Sequence, residues 1–208
     1  IMRASILGLL GVVLIAGCYD PHAWSRHHRV DVTVPVYRQP TYSDDSGYED
    51  RDRAEPIPIR ADVDNLHRVD DRLYRSGQPE DDAWDDLQRL GVRTVINLRG
   101  EDEDEADPVA YAGMKYVEID VSRWGLEESD VVRFCKIMAD PAATPALVHC
   151  QRGADRTGML VAAYRYVVNG WTSGEAVAEM ADGGFGYIGV KSAVREFLDS
   201  LDRDAIRR

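Results

Sequence analysis

The chain has 208 residues, of which 44% are hydrophobic. That supports one domain with a sizeable core and is too little for two. Its net charge of −12 excludes a general nucleic-acid binder, because phosphate contacts need clustered Lys and Arg. An anionic substrate would have to be drawn by a local arginine cluster.

Arg3 is followed by an apolar run, Ile6 to Ile15, too short to span a bilayer. "IAGC" (15–18) then completes the pattern of a secretory signal. It resembles a bacterial lipoprotein signal, whose Cys is lipidated and becomes the mature N-terminus. Residues 1–18 are therefore expected to be a signal peptide with Cys18 as the lipidation site. Tyr19, rather than Asp, follows it, which leans toward outer-membrane over inner-membrane retention. The expected location is the cell envelope, periplasmic and lipid-anchored.

Residues 19–60 are rich in Asp, Arg, Pro, Ser and Tyr, and "DDSGYEDRDRAEP" (44–56) reads as disordered. This span is expected to be a tether, roughly 35 Å in r.m.s. length. "VDVTVPVY" (30–37) alternates like a strand, but no partner follows it closely.

The folded domain is expected over 61–208. Asn65 to Pro79 gives two short extended runs around "DD", a hairpin signal. A helix follows from Pro79 to Leu90, ended by Gly91. "RTVINL" (93–98) is a buried-type strand. The 100–114 segment reads as an acidic turn and a helix interrupted near Pro108, with "EDEDEAD" (101–107) as a solvated face. "KYVEI" (115–119) is another strand. Glu127 to Ala139 forms an amphipathic helix, and "PALVH" (145–149) a buried strand. Helices follow from Thr157 to Asn169, from Thr172 to about Met180, and from Val190 to Leu201. Strands alternating with helices predict an α/β domain with a central sheet.

The chemistry concentrates in "VHCQRGADRTG" (148–158). Residues 151–156 link a strand ending at His149 to a helix starting near Thr157. Such a loop and helix start offer backbone N–H groups to an anion. Gly153 lets the backbone curl closely. Arg156 can fork two N–H bonds onto a phosphate. Cys150 at the rim of a positive pocket is expected to ionise near neutral pH. A thiolate under a bound phosphate is a nucleophile for phosphoryl transfer. Thr157, in the first helical turn, is the natural hydroxyl partner of the sulfur.

This stretch is similar to the H-C-x5-R-[ST] signature of the cysteine-dependent protein tyrosine phosphatase superfamily. "LYRSGQP" (73–79), "VINLRGEDE" (95–103) and "GWTSGEAVAEM" (170–180) look like the atypical dual-specificity phosphatases. The resemblance covers about Asn65 to Leu201. It implies a phosphatase-like fold with a mainly parallel central sheet flanked by helices. It also implies hydrolysis of phosphate monoesters through a phosphocysteine on Cys150, with no cofactor or metal. Gln151, Arg152, Gly153, Ala154, Asp155 and Arg156 would bind the phosphoryl group. His149 would orient the loop. The family's acid lies roughly thirty residues before the nucleophile, which points to Asp120 (150 − 120 = 30). The segment reads "IDVSRWG" and not Trp-Pro-Asp, so Asp155 inside the loop is a rival, followed by Asp130 and Glu128. Arg75 and Arg99 read as structural, paired with Asp or Glu, with lining of the site as the alternative. Cys135 reads as a core cysteine, with a redox pair to Cys150 as the alternative.

Implied partners are a phosphorylated protein or small molecule and, through the lipid, a membrane; no nucleic acid is expected, and the chain is expected to be a monomer. The alternatives are a non-catalytic phosphate-binding module of the same fold and, behind it, a sulfurtransferase or arsenate reductase.

Overall fold

The computed structural model describes residues 53–58, 63–100 and 105–208. The signal segment with Cys18, the "VDVTVPVY" run and most of the tether lie outside them.

Six strands form one sheet in the order β1-β2-β3-β6-β4-β5. They are β1 (Glu55–Pro56), β2 (His67–Arg68), β3 (Leu73–Ser76), β4 (Thr94–Asn97), β5 (Lys115–Glu118) and β6 (Ala146–His149). β3, β6, β4 and β5 are mutually parallel, while β1 and β2 add antiparallel pairs at one edge. The sheet is thus mixed, with the expected parallel centre. The "DD" hairpin forms with His67 opposite Arg75, and Tyr164 Oη pins its turn by donating to Asp70 Oδ2 at 2.8 Å.

Period-2 alternation decides which helices cover which face. Leu73, Ile96, Ala146 and Val148 turn into one apolar cluster. It packs under α3 (Glu128–Ala139), α4 (Asp155–Val167), α5 (Ser173–Asp182), α6 (Lys191–Ser200) and the short α7 (Arg203–Ile206). Val95 and Leu147 point the other way, onto Trp84 and Leu87 of α1 (Trp84–Arg89) and Val109 of α2 (Ala106–Tyr111). Both faces of β4 and β6 are therefore buried. That is why each reads as a continuous apolar run and not as an alternating one. α4 is buried along almost its whole length, so the helix after the 151–154 loop is the centre of the core.

Six details differ from the sequence reading, the first being that the helix expected from Pro79 begins only at Trp84. Residues 53–58, inside the expected tether, belong to the fold. β1 pairs with β2, and Ala54 N donates to Glu179 Oε1 at 2.9 Å. That contact belongs to a buried Arg165–Glu179 pair at 2.8 Å, which tertiary structure creates and local composition hides. Pro108 does not interrupt a helix. It sits in the first turn of α2, where no helical partner for an N–H exists. Glu105 is buried at 5% exposure instead of solvated. α4 begins at Asp155, two residues early, so Arg156 and Thr157 are already helical. α7 was not expected; its N-cap Asp202 accepts from the N–H groups of Asp204 and Ala205.

Candidate active site

The C-terminal ends of the parallel strands line up: Ser76 beside His149, His149 beside Asn97, and Asn97 beside Glu118. In an open parallel sheet this edge is where ligands bind. Cys150 is the first residue past β6, with β3 on one side and β4 on the other. Gln151 to Ala154 form the loop, and α4 starts immediately after. The N-terminal end of α4, the positive end of its dipole, adjoins the loop.

The loop is bolted to the strand ends around it. Gly153 has φ +68, and a Cβ there would lie 2.5 Å from Gly77 N and from the carbonyl of Ser76. Only glycine allows that approach. Gln78 N donates to the Gln151 carbonyl at 3.2 Å. Asn65 Nδ2 donates to the Arg152 carbonyl at 2.7 Å and to the Phe185 carbonyl at 3.2 Å, from a left-handed backbone with φ 54. Asparagine tolerates this conformation better than most residues. Leu98 N donates to the His149 carbonyl at 2.9 Å. The "RSGQP" segment is thus the bed on which the phosphate loop lies.

The structure brings most of the expected site residues together. Cys150 is 4% exposed. Arg156 Nη1 donates to the Leu98 carbonyl at 3.1 Å, which fixes the guanidinium at the end of β4 beside the loop. Thr157 is buried at the third position of α4, but its Oγ1 has no hydrogen-bond partner among the described residues. The expected bond to the sulfur is therefore not made in this arrangement. His149 is fully buried, its Nε2 3.2 Å from Oε2 of Glu105. The angle does not make that contact a hydrogen bond. Glu105 is itself held by Asn97 Nδ2 at 2.9 Å. A chain of polar groups on β4, at the cap of α2 and on β6 thus sits directly behind Cys150.

The two rival acids have different surroundings. Asp155 Oδ2 accepts from Arg152 Nη2 at 2.5 Å, and its Oδ1 accepts from Ile188 N at 3.1 Å. Asp155 therefore clasps the phosphate loop to the loop after α5. Arg152 carries a carboxylate partner in the same contact. Asp120 is exposed just past β5, two strands from Cys150 and on the same sheet edge. Strand spacing puts those two ends about 10 Å apart. Its carboxylate crowds Gly100, where a Cβ would lie 2.3 Å from Oδ1. Gly100 follows Arg99 and Leu98, the carrier of Arg156, so the segment bearing Asp120 rests on the end of β4. Asp130 Oδ2 accepts from Glu127 N at 3.0 Å in a capping box. Its carboxyl is pushed up, first by burial and then by the nearby Glu127 and Asp120 charges. Glu128 is exposed in the first turn of α3.

Sequence reasoning missed Asn65 and Gly77, and named Arg75 but gave it the wrong partner. Arg75 does not bond a carboxylate. Its Nη2 donates to the Gly153 carbonyl at 2.6 Å, and its guanidinium stacks on Phe185 at 3.7 Å. Arg99 holds Gln78 through its side chain and Asn97 Oδ1 through its amide. The repeated small residues of "RSGQP" were the available signal.

A family model described as "DSP-PTPase phosphatase fused to NAD+ Kinase" matches residues 58–195. The chain belongs to this dual-specificity phosphatase family. It is 33% identical to the dual specificity protein phosphatase TpbA of Pseudomonas aeruginosa over 144 residues, 69% of this chain and 65% of that protein. The match thus spans just under two thirds of that relative. It is 30% identical to inositol diphosphatase DSP3 of Arabidopsis thaliana, over 52% of this chain and 57% of that one. The crystal structure of Pseudomonas aeruginosa TpbA superposes with a TM-score of 0.61 at 29% identity, covering 74% of this chain and 94% of that one. Another structure of TpbA, in a cysteine-to-serine form, holds phosphotyrosine and also gives 0.61, at 28% identity with 74% and 93% covered. The catalytic core of the Saccharomyces cerevisiae phosphatase SIW14 shares the fold, with a TM-score of 0.62, 22% identity, and 76% and 93% covered. The dual-specificity phosphatase fold expected from the motif is therefore present.

Proposed function

We propose that the chain hydrolyses phosphate monoesters through a phosphocysteine on Cys150, with phosphotyrosine the favoured class. The observation that carries this reading is the placement of Cys150 at the end of β6. It is followed directly by the 151–154 loop and the start of α4, with Arg156 held at the end of the neighbouring β4. The sulfur attacks phosphorus and the P–O bond to the leaving group breaks. Arg156 and the amides of 151–156 hold the phosphoryl oxygens throughout. Asp120 gives its proton to the leaving oxygen. The resulting Asp120 carboxylate then takes a proton from the water that attacks the phosphocysteine, releasing inorganic phosphate and the thiolate.

Two observations favour Asp120 over Asp155. Asp155 already holds two loop elements together, and Asp120 projects from an exposed segment on the strand-end edge. Two support an aromatic phosphoester over a densely charged one. Trp124, on the segment after Asp120, is 97% exposed, and Ile188, whose amide bonds Asp155, is 76% exposed. The phosphotyrosine bound to the TpbA variant points the same way.

The test is hydrolysis of p-nitrophenyl phosphate, a phosphotyrosine peptide, phosphoserine and inositol pyrophosphates by the purified chain. Turnover with acid-stable phosphate trapped on Cys150 is expected. Phosphate binding without turnover on any of them would instead select the non-catalytic module.

The envelope location is part of the same proposal. Among the described residues no helix is long and apolar enough to cross a membrane, and "IAGC" supports a lipid at Cys18 instead. Metabolic labelling with a radioactive fatty acid should mark the full chain and not Cys18→Ser; equal labelling of both would end that reading.

A further inference from the structure

Arg75 is completely buried beneath the phosphate loop. It stands in β3 opposite Val148, two residues before the nucleophile. Three segments box its guanidinium. Nη2 donates to the Gly153 carbonyl at 2.6 Å. The Phe185 ring centroid is 3.7 Å from its central carbon. A Cβ on Gly158, in the first turns of α4, would lie 3.9 Å from Nη2. Nε and Nη1 have no hydrogen-bond partner among the described residues.

Among the described residues nothing at this position neutralises the cation directly. Glu179 is the carboxylate whose field reaches it most strongly. Glu179, however, is gripped by Arg165 through two bonds, at 2.9 and 2.8 Å. Burial accordingly drags the Arg75 pKa down to about 10, which still leaves it charged at neutral pH. A buried, unneutralised charge is costly, and an apolar side chain of similar volume would fill the space without that cost. The arrangement makes sense where an anion occupies the other side of the loop. The group that supplies one there is the phosphoryl group that Cys150 attacks.

We propose that Arg75 is a positioning residue of the phosphate loop: it turns the Gly153 carbonyl inward so that the loop amides face the phosphate, and its charge strengthens anion binding from below. This rests on the phosphomonoesterase reading, which its test keeps separate by scoring phosphate affinity independently of turnover. The Gly153 carbonyl and Phe185 are then explained together: the carbonyl accepts from the guanidinium, and the aromatic face covers it.

The experiment compares wild type with Arg75→Met, Arg75→Gln and Arg75→Lys, after far-UV circular dichroism has verified folding. Three quantities are read: KM for p-nitrophenyl phosphate, inhibition by inorganic phosphate, and thermal stabilisation by inorganic phosphate. The neutral variants should bind phosphate at least about tenfold more weakly, with KM raised by a similar factor, as expected for one lost charge-assisted contact. Arg75→Lys should fall between wild type and the neutral variants, since it keeps a cation but loses the planar stack on Phe185. A folded neutral variant with wild-type KM and phosphate affinity, losing only melting temperature, overturns the proposal and leaves Arg75 structural. If both neutral variants fail to fold, Arg75→Lys decides, and a loss of about tenfold in its phosphate affinity overturns the proposal. A wild type that binds phosphate but turns nothing over overturns the proposed function while the affinity comparison still decides this one.

Discussion

Cys135 and Cys150 are buried almost equally, at 2% and 4% exposure, and both belong to one apolar cluster. Their surroundings differ entirely. Cys135 lies mid-helix in α3 between Phe134 and the buried Met138. Burial pushes its thiol up to about 12, and Arg207 pulls it back only slightly. Cys150 ends a strand, precedes a turn of loop amides and a helix start, and has Arg156 beside it and Arg75 beneath. Depth alone therefore says little about a cysteine. The direction of the nearest dipoles and charges separates a core-filling thiol from a nucleophile.

The sharpest way to break this comparison is to remove each sulfur in turn. Cys150→Ser should lower kcat/KM for p-nitrophenyl phosphate by at least about 10⁴-fold, because the covalent route is lost. Cys135→Ala should leave kcat/KM within about twofold and cost about 1 kcal/mol of stability from the small cavity it leaves. Comparable activity losses in both would show that the two sites are coupled and that the contrast is wrong.

Arg156→Lys comes next. A lysine keeps the charge but loses the fork that holds two phosphoryl oxygens in one plane. A drop of about 10²–10³-fold in kcat is expected from steady-state kinetics, with folding intact. A variant that loses only KM would mean that Arg156 binds the substrate without following it into the transition state.

Asp120→Asn should cost about 10²-fold with a phosphotyrosine peptide, the usual contribution of a general acid. The loss should be smaller with p-nitrophenyl phosphate, whose leaving group needs less protonation. Asp155→Asn should instead loosen the loop clasp at Ile188 and act equally on both substrates. The reverse pattern would transfer the acid role to Asp155.

These contrasts also show what was legible in the sequence and why. Cys150, Gly153 and Arg156 could be named because their chemistry depends on neighbours in the chain: a strand end, a tight loop and a helix start within eleven residues. The paired runs around "DD" and the Thr172 cap were legible for the same local reason. Asn65 and Gly77 were not, and Arg75 was named without its partner, since all three act on the loop from about 75 or more positions away in sequence. The edge strand at Glu55–Pro56 was hidden because its acidic, proline-rich composition is that of a tether, and only pairing to His67–Arg68 makes it a strand. Glu105 was read as one more solvated acid because its burial depends on where His149 and Asn97 lie in space.

The smallest effect separates the two cysteines by pH. The Cys135 thiol is raised from 9.0 to about 12 by burial, so folding favours its protonated form. Below the unfolded-state value both states carry the proton and Cys135 adds no pH dependence. As pH climbs from about 9 toward 12, the unfolded chain ionises while the folded one does not, and stability falls. Urea unfolding of wild type and Cys135→Ala at pH 8 and at about pH 10.5 should therefore show the wild type losing more between the two conditions. The other groups titrating in this range are common to both proteins and cancel in the difference. Parallel losses would mean that the Cys135 thiol is hydrated in the folded state. Burial would then no longer be the reason this cysteine stays inert while its neighbour in the core reacts.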